Sequence, residues 1–182
     1  MPVRTASCFA LGLALIFTPA LPAIALPEDV EQPIEIESDS AELDEVRGVA
    51  VYAGKVRMVQ GTLIVTAETL TIETAEDAVT RITADGDADP ATFVQQLEPG
   101  NPDDPDLKVQ GRAAQIIYFT ADERIEFEGD AELTQASDRF TGNQISYDLQ
   151  ARRVNASAGA EGERMTFTLD PSRLRARRKE GN

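Results

Sequence analysis

The 182-residue sequence contains no histidine, no tryptophan and a single cysteine, Cys8. Each absence removes a class of function. Without histidine the chain lacks the commonest general acid–base side chain and the usual base of a catalytic triad. Without a cysteine beyond residue 8 it has no thiol nucleophile, no Cys/His zinc site and no disulfide to staple the fold. Aromatic residues make up only 5% of the chain. No segment beyond the first 25 residues approaches the ~18 consecutive apolar residues of a membrane helix. Basic residues are also few: 17 against 32 acidic ones, for a formal net charge of −15. Such a chain repels phosphate backbones, and no nucleic-acid partner is expected. The abundant carboxylates leave a glycosidase-type acid pair as the remaining catalytic option. Most of them fall where a solvated strand face explains them, so no enzymatic activity, metal or cofactor is expected. Asp85-Gly86-Asp87-Ala88-Asp89 has the look of a calcium loop but lacks the ligand run and terminal Glu of an EF-hand, and reads as a solvated turn.

The N-terminus reads as a targeting segment. Arg4 supplies positive charge, residues 8–17 form a short apolar run, and Ala23-Ile24-Ala25 gives a small-x-small cleavage site. Residues 1–25 are therefore expected to be a cleaved secretory signal, placing the mature protein outside the cytoplasm. An uncleaved N-terminal anchor is the alternative. Cys8 precedes the apolar run and is not placed for lipid attachment. Residues 26–172 are long enough for one domain with a core, and carry 11 basic and 31 acidic side chains. Residues 173–182 hold Arg173, Arg175, Arg177, Arg178 and Lys179 and are expected to form a basic, disordered tail.

What the chain has in plenty is alternation. In Ile125–Thr134 the odd positions are apolar or glycine and the even ones charged or polar, the period of a strand with one dry face. A near-copy lies 75 residues earlier, where Tyr52–Gln60 matches Phe127–Gln135. A second unit recurs as Ala67-x-x-Leu70-x-Ile72, Ala113-x-x-Ile116-x-Tyr118 and Gly142-x-x-Ile145-x-Tyr147. Its apolar set changes parity across the x-x pair, which a flat strand cannot do without turning its dry face outward. A bulge or corner is expected there. These corners alternate with x-Gly turns at Gly54, Gly86 and Gly129. The longer second interval contains Leu97–Leu107, rich in Pro, Asp and Gly, which reads as an inserted loop. Glu73–Val79 is the one segment expected to make a helical turn. The fold expected is all-β: an open-ended β-jellyroll of repeated short antiparallel strands with a hydrophobic interior groove, in preference to a closed barrel.

The dry face carries Val56, Met58, Ile125, Phe127 and Leu133, with small residues such as Ala50, Ala84, Ala131 and Ala156 on or near it. Two readings stand. Either the side chains fill their own interior, making a structural or interaction module, or the groove holds acyl chains. Twelve buried methylenes would release about 10 kcal/mol, so a lipid guest needs no charge, metal or catalytic group.

Several motifs carry a resemblance. Gln32-Pro33-Ile34-x-Ile36-Glu37-Ser38-Asp39, Leu43-Asp44, Tyr52-x-Gly54-x-Val56 and Gln60-Gly61-Thr62 are followed in order by Pro90-Ala91-Thr92-Phe93, Gly129-Asp130-Ala131-x-Leu133-x-Gln135, Gly142-x-x-Ile145-x-Tyr147 and Pro171-Ser172-x-Leu174. Together the chain resembles the LptA (OstA) family of periplasmic lipopolysaccharide-transport proteins over nearly its whole mature length. The acidic loop at 98–106 and the Arg-rich tail depart from the family pattern. The resemblance implies a periplasmic jellyroll that shields the acyl chains of lipid A during transit between membranes. It places lipid-facing positions at Ile34, Ile36 and Phe93. It also implies head-to-tail self-association, and contact with an LptC-like inner-membrane protein and an LptD-like outer-membrane protein. The strand at Ile34–Ile36 and that at Met165–Leu169 are the candidate edges for such contacts. An uncleaved leader would instead fit the membrane-anchored LptC-like sibling.

Overall fold

The computed structural model describes residues 32–76, 78–96, 108–135, 137–151, 153–158 and 164–169, and every regular element among them is a β-strand. The leader 1–25, the loop 97–107 and the tail 173–182 lie outside the described residues. In chain order the strands are β1 Ile34–Glu37, β2 Ser40–Asp44, β3 Val49–Gln60, β4 Leu63–Ala75, β5 Ala78–Asp85, β6 Ala91–Gln96, β7 Lys108–Ala113, β8 Gln115–Phe119, β9 Arg124–Gln135, β10 Asp138–Asp148, β11 Arg153–Ser157 and β12 Thr166–Thr168. Their pairings are antiparallel.

Four strands, β3, β4, β9 and β10, serve two layers at once. Residues 49–53 of β3 lie against β2, whereas 57–60 lie against β1. The same division runs through β4, which meets β6 with one half and β5 with the other, and through β9 and β10. One layer therefore runs β2, β3, β4, β5, β8, β9, β10, β11, and the other β1, β3, β4, β6, β7, β9, β10, β12. The shared strands join the layers along a ridge. The sheet does not close: β1 and β2 end it on one side, β11 and β12 on the other. This is the open-ended jellyroll that the repeat implied.

The ridge is made by bulges. Gly54 and Lys55 of β3 together oppose the single Glu68 of β4, and Gly129 and Asp130 of β9 oppose the single Asn143 of β10. All four bulged residues have positive φ, at 86°, 50°, 77° and 48°. Glycine leads each pair because a Cβ at Gly54 would stand 2.6 Å from the Asp39 carboxylate, and one at Gly129 would stand 2.9 Å from the Ala114 Cβ. Backbone bonds run along the ridge from Asp39 N–H to Gly54 O, Gly86 N–H to Ala114 O and Ala114 N–H to Gly129 O, at 3.0, 2.8 and 2.9 Å.

Two sequence expectations are corrected here. The x-Gly units at Gly54 and Gly129 are not turns between strands but bulges inside β3 and β9, whereas Gly86 does open the turn between β5 and β6; all three stand on the same ridge as the x-x units. The chain crosses from the first layer to the second at a glycine and returns at an x-x pair. Glu73–Val79 is not helical either. The β4–β5 ladder continues to the pair Ala75 and Ala78, and these cross-strand hydrogen bonds outcompete a lone helical turn.

The core lies between the layers. Leu70, Ile72, Ile82, Ile116, Ile125, Phe127, Ile145 and Tyr147 come from the first, and Val56, Met58, Leu63, Val65, Phe93, Val109 and Leu133 from the second. The Phe93 and Phe127 rings meet edge to face at 5.8 Å. Gly111 makes room for Phe127: a Cβ there would overlap its Cε1. Gly111→Val is expected to lower unfolding stability by about 1–3 kcal/mol through overpacking. Combining Gly111→Ala with Phe127→Leu should recover part of the loss in a double-mutant cycle read by urea unfolding.

Candidate functional site

Residues paired across an antiparallel sheet share a face, so the registers trace the dry surface strand by strand. In the second layer one row runs from Ile36 through Met58, Val65, Phe93, Gly111, Leu133 and Phe140 to Phe167. It crosses all eight strands without a polar side chain. In the first layer Leu43, Ala50, Ile72, Ile82, Tyr118, Ile125, Tyr147 and Val154 form one such row. A parallel row beside it contains Tyr52, Leu70, Ala84, Ile116, Phe127 and Ile145. The dry surface is thus unbroken from one end of the roll to the other.

The sequence-derived site residues all fall on this surface. Ile36, Met58, Phe93 and Leu133 share one row, Ile34 and Val56 flank it, and Ile125 and Phe127 face it from the other layer. Their surroundings differ. Val56, Met58, Phe93, Ile125, Phe127 and Leu133 are fully buried against one another, so the middle of the trough is closed by the protein's own side chains. Ile34 and Ile36, on the edge strand, are only half-buried.

The ends are open. Leu43, which points inward from the edge strand β2, is 63% exposed. At the opposite end Phe167 of β12 is 45% exposed although it packs edge to face on Phe140 at 4.9 Å. Met165 and Leu169 beside it are also exposed. Each mouth of the trough therefore combines an unpaired strand edge with uncovered apolar side chains. Sequence reasoning identified β1 and β12 but missed β2 and β11. β2 offers only one large apolar residue, Leu43, with the small Ala41 at the other alternating position, too weak a signal to stand out amid Ser40, Glu42 and Asp44.

The outer faces carry the charged side chains. Arg112 and Arg139 both donate to the Glu132 carboxylate, at 2.8 and 2.7 Å, beside an open depression of about 450 Å³ that Asp130, Asn143 and Arg164 also line. On the first layer's outer face the Arg81 and Arg124 guanidiniums lie 5.4 and 4.7 Å from the Phe119 ring centroid. Among the described residues no group of three or more His, Cys, Asp or Glu side chains is placed to hold a metal. Asp85 accepts a hydrogen bond from Gln115 at 2.6 Å, and Asp87 N–H bonds Asp89 O, as in a turn.

Burial of Glu132 opposes its ionisation, but the hydrogen bonds from Arg112 and Arg139 outweigh that and hold its carboxyl below the ordinary glutamate value. A depressed folded-state value stabilises the fold above the unfolded-state pKa, and that stability is lost as pH falls through the folded one. Glu132→Gln is expected to remove up to about 1 kcal/mol at neutral pH, because the two arginines are half-exposed. The difference should shrink as pH falls through the folded-state pKa, where the native carboxylate itself becomes protonated. Urea unfolding across an acid pH series checks this.

Comparison with known proteins agrees with this geometry. Residues 35–153 match the family model described as LptA/(LptD N-terminal domain) LPS transport protein. The chain is 32% identical over 162 residues to the lipopolysaccharide export system protein LptA of Escherichia coli K12, covering 89% of this chain and 84% of the relative. It is 38% identical over 145 residues to the lipopolysaccharide export system protein LptH of Pseudomonas aeruginosa, covering 79% and 78%. The crystal structure of that LptH, described as the LptA-homologous periplasmic component of a conserved lipopolysaccharide transport device, superposes with a TM-score of 0.71 at 31% identity. The match covers 80% of this chain and 100% of that one.

Proposed function

This chain belongs to the LptA/LptD N-terminal-domain family of lipopolysaccharide transport proteins, and from that premise we propose that it carries lipopolysaccharide with the lipid A acyl chains held between its two layers. It is a lipopolysaccharide-transport bridge protein. We infer that it works in the periplasm, after removal of residues 1–25, and that it is not an enzyme. Residues 26–172 are the carrier domain and 173–182 a basic tail. Ile34, Ile36, Val56, Met58, Phe93, Ile125, Phe127 and Leu133 are the acyl-contacting residues. The observation that carries this reading is the end-to-end apolar row from Ile36 to Phe167, open at both mouths.

The closed middle of the trough favours a self-filled module as the second reading, and it also sets the energetics of the first. A guest chain entering here exchanges side-chain contacts for acyl contacts instead of burying methylenes from water. The gain falls well below the ~0.8 kcal/mol per methylene of an open groove. A modest affinity suits a carrier that must hand its load on. The mouths supply the route: each exposes strand edges of the kind that recruit another strand. The two ends are built from different strands, so copies would stack head to tail. The same edges would meet an LptC-like inner-membrane protein and an LptD-like outer-membrane protein.

Photo-crosslinking separates the two readings. Crosslinkers at Ile36 and Phe127 are expected to capture lipopolysaccharide, and those at Glu126 and Glu128, whose registers place them on the outer face, are not. Equal capture from both faces, or none from the inner one, would contradict the carrier reading.

A further inference from the structure

The inward residues of the second layer change character in order from the ridge outward. Next to the ridge stand Ala67, Ala91, Ala113, Ala131 and Gly142, where the layers converge and small side chains prevail, with Val56, the partner of Ala67, the larger exception. The next row is the large apolar one that holds Met58 and Phe93. The third row, at the lip farthest from the ridge, sets Gln60, Gln95 and Gln135 among Ile34, Leu63 and Val109 and includes Asp138 beside Gln135. In cross-section the trough thus reads small, then large and apolar, then apolar with a carboxamide on every second strand. That is the profile of an amphiphile with its chain ends at the ridge and its head at the lip.

The three glutamines are evenly placed. They stand on β3, β6 and β9, the second, fourth and sixth strands of the layer, with Leu63 and Val109 on the strands between. Strands lie about 4.8 Å apart, so a carboxamide recurs roughly every 10 Å along the trough. Gln60 is the one buried polar side chain among the described residues, 6% exposed, and its Nε2 donates to the Gln32 carbonyl at 3.1 Å. A leucine would fill the same volume without the penalty of burying an amide. The matching row of the first layer carries the apolar Val79 and Leu149 with the hydroxyl of Thr74, the partner of Val79, so it is the carboxamides that line one lip.

We propose that Gln60, Gln95 and Gln135 are successive hydrogen-bonding stations for the neutral groups nearest the head of an acylated aminosugar lipid: its acyl amide and ester carbonyls and its hydroxyls. A carboxamide both donates and accepts and carries no charge. It can pair with such groups in either sense, and its grip is insensitive to salt. The inference rests on the acyl-trough reading and adds orientation and step length. A lipid moving along the trough meets the same chemistry at each second strand.

The test compares two probes on the mature protein: lipid A, and a straight-chain fatty acid of similar chain length that lacks the amides and sugar hydroxyls. Gln60→Leu, Gln95→Leu and Gln135→Leu conserve volume and add apolar surface. Their folding is checked by thermal melting. Each is expected to weaken lipid A binding about three- to tenfold, the effect of one lost hydrogen bond, and to leave fatty-acid binding unchanged or tighter. Equal losses for both probes would mean that the glutamines only pack, and no loss for lipid A in folded variants would mean that they do not touch it; either overturns the proposal. If the unsubstituted protein binds neither probe, the trough reading itself falls. If it binds both and the variants do not discriminate, only the stations fall.

Discussion

The two-against-one bulges on the ridge hold every other feature in place. A strand presents alternate residues to opposite faces, so a strand that passes from one layer to the other must be reset at the corner or its apolar side turns to water. At Gly54–Lys55 and Gly129–Asp130 one strand takes two left-handed residues where its partner takes one. With that offset, Phe127 points inward in the first layer and Leu133 in the second, on the same strand. The partner strands β4 and β10 cross with a change of parity. Both layers thereby keep their dry faces toward each other over their whole length.

Geometry at the ridge also dictates the sizes of the side chains. Layers that meet at a corner leave little space beside it, and alanine and glycine occupy most of that row, Val56 being the exception. Farther out the gap widens to take phenylalanine and methionine. The large side chains of the two layers pack against one another across that gap, which keeps their apolar surface from water. The roll is therefore held shut by the same residues that a lipid would contact. A carrier of this kind is loaded by exchange of one set of apolar contacts for another, and the net change per step is small.

The sequence made much of this legible, and the reason is the period. Strict alternation in Ile125–Thr134 and its copy at Tyr52–Gln60 revealed strands, and the parity change in Ala67-x-x-Leu70 revealed corners. The glycine units were harder, since a glycine that keeps the parity looks like a turn; only the pairing of Gly54–Lys55 against Glu68 shows it to be a bulge. Glu73–Val79 misled because seven residues mixing Glu, Thr and Ala fit a helical turn locally, while ladder partners on β5 decide the outcome. Gln60, Gln95 and Gln135 were visible but mute. Their shared row arises from pairings between strands far apart in the chain, which no local pattern encodes. The closed state of the trough was hidden for a related reason: apolar side chains that face a guest and those that face each other have the same composition.

The central claim is that acyl chains lie between the layers. Its most direct test is nuclear Overhauser measurement between lipopolysaccharide acyl methylenes and labelled methyl groups of the mature protein. The roll supplies inward methyls at Ile36, Val65, Leu133 and Ile145, and outward ones at Val51, Ile64 and Ile117, with β4 supplying one of each. Transfer confined to the inward set is the expected result. Transfer to the outward set, or bound lipopolysaccharide with no inward transfer, would contradict the account.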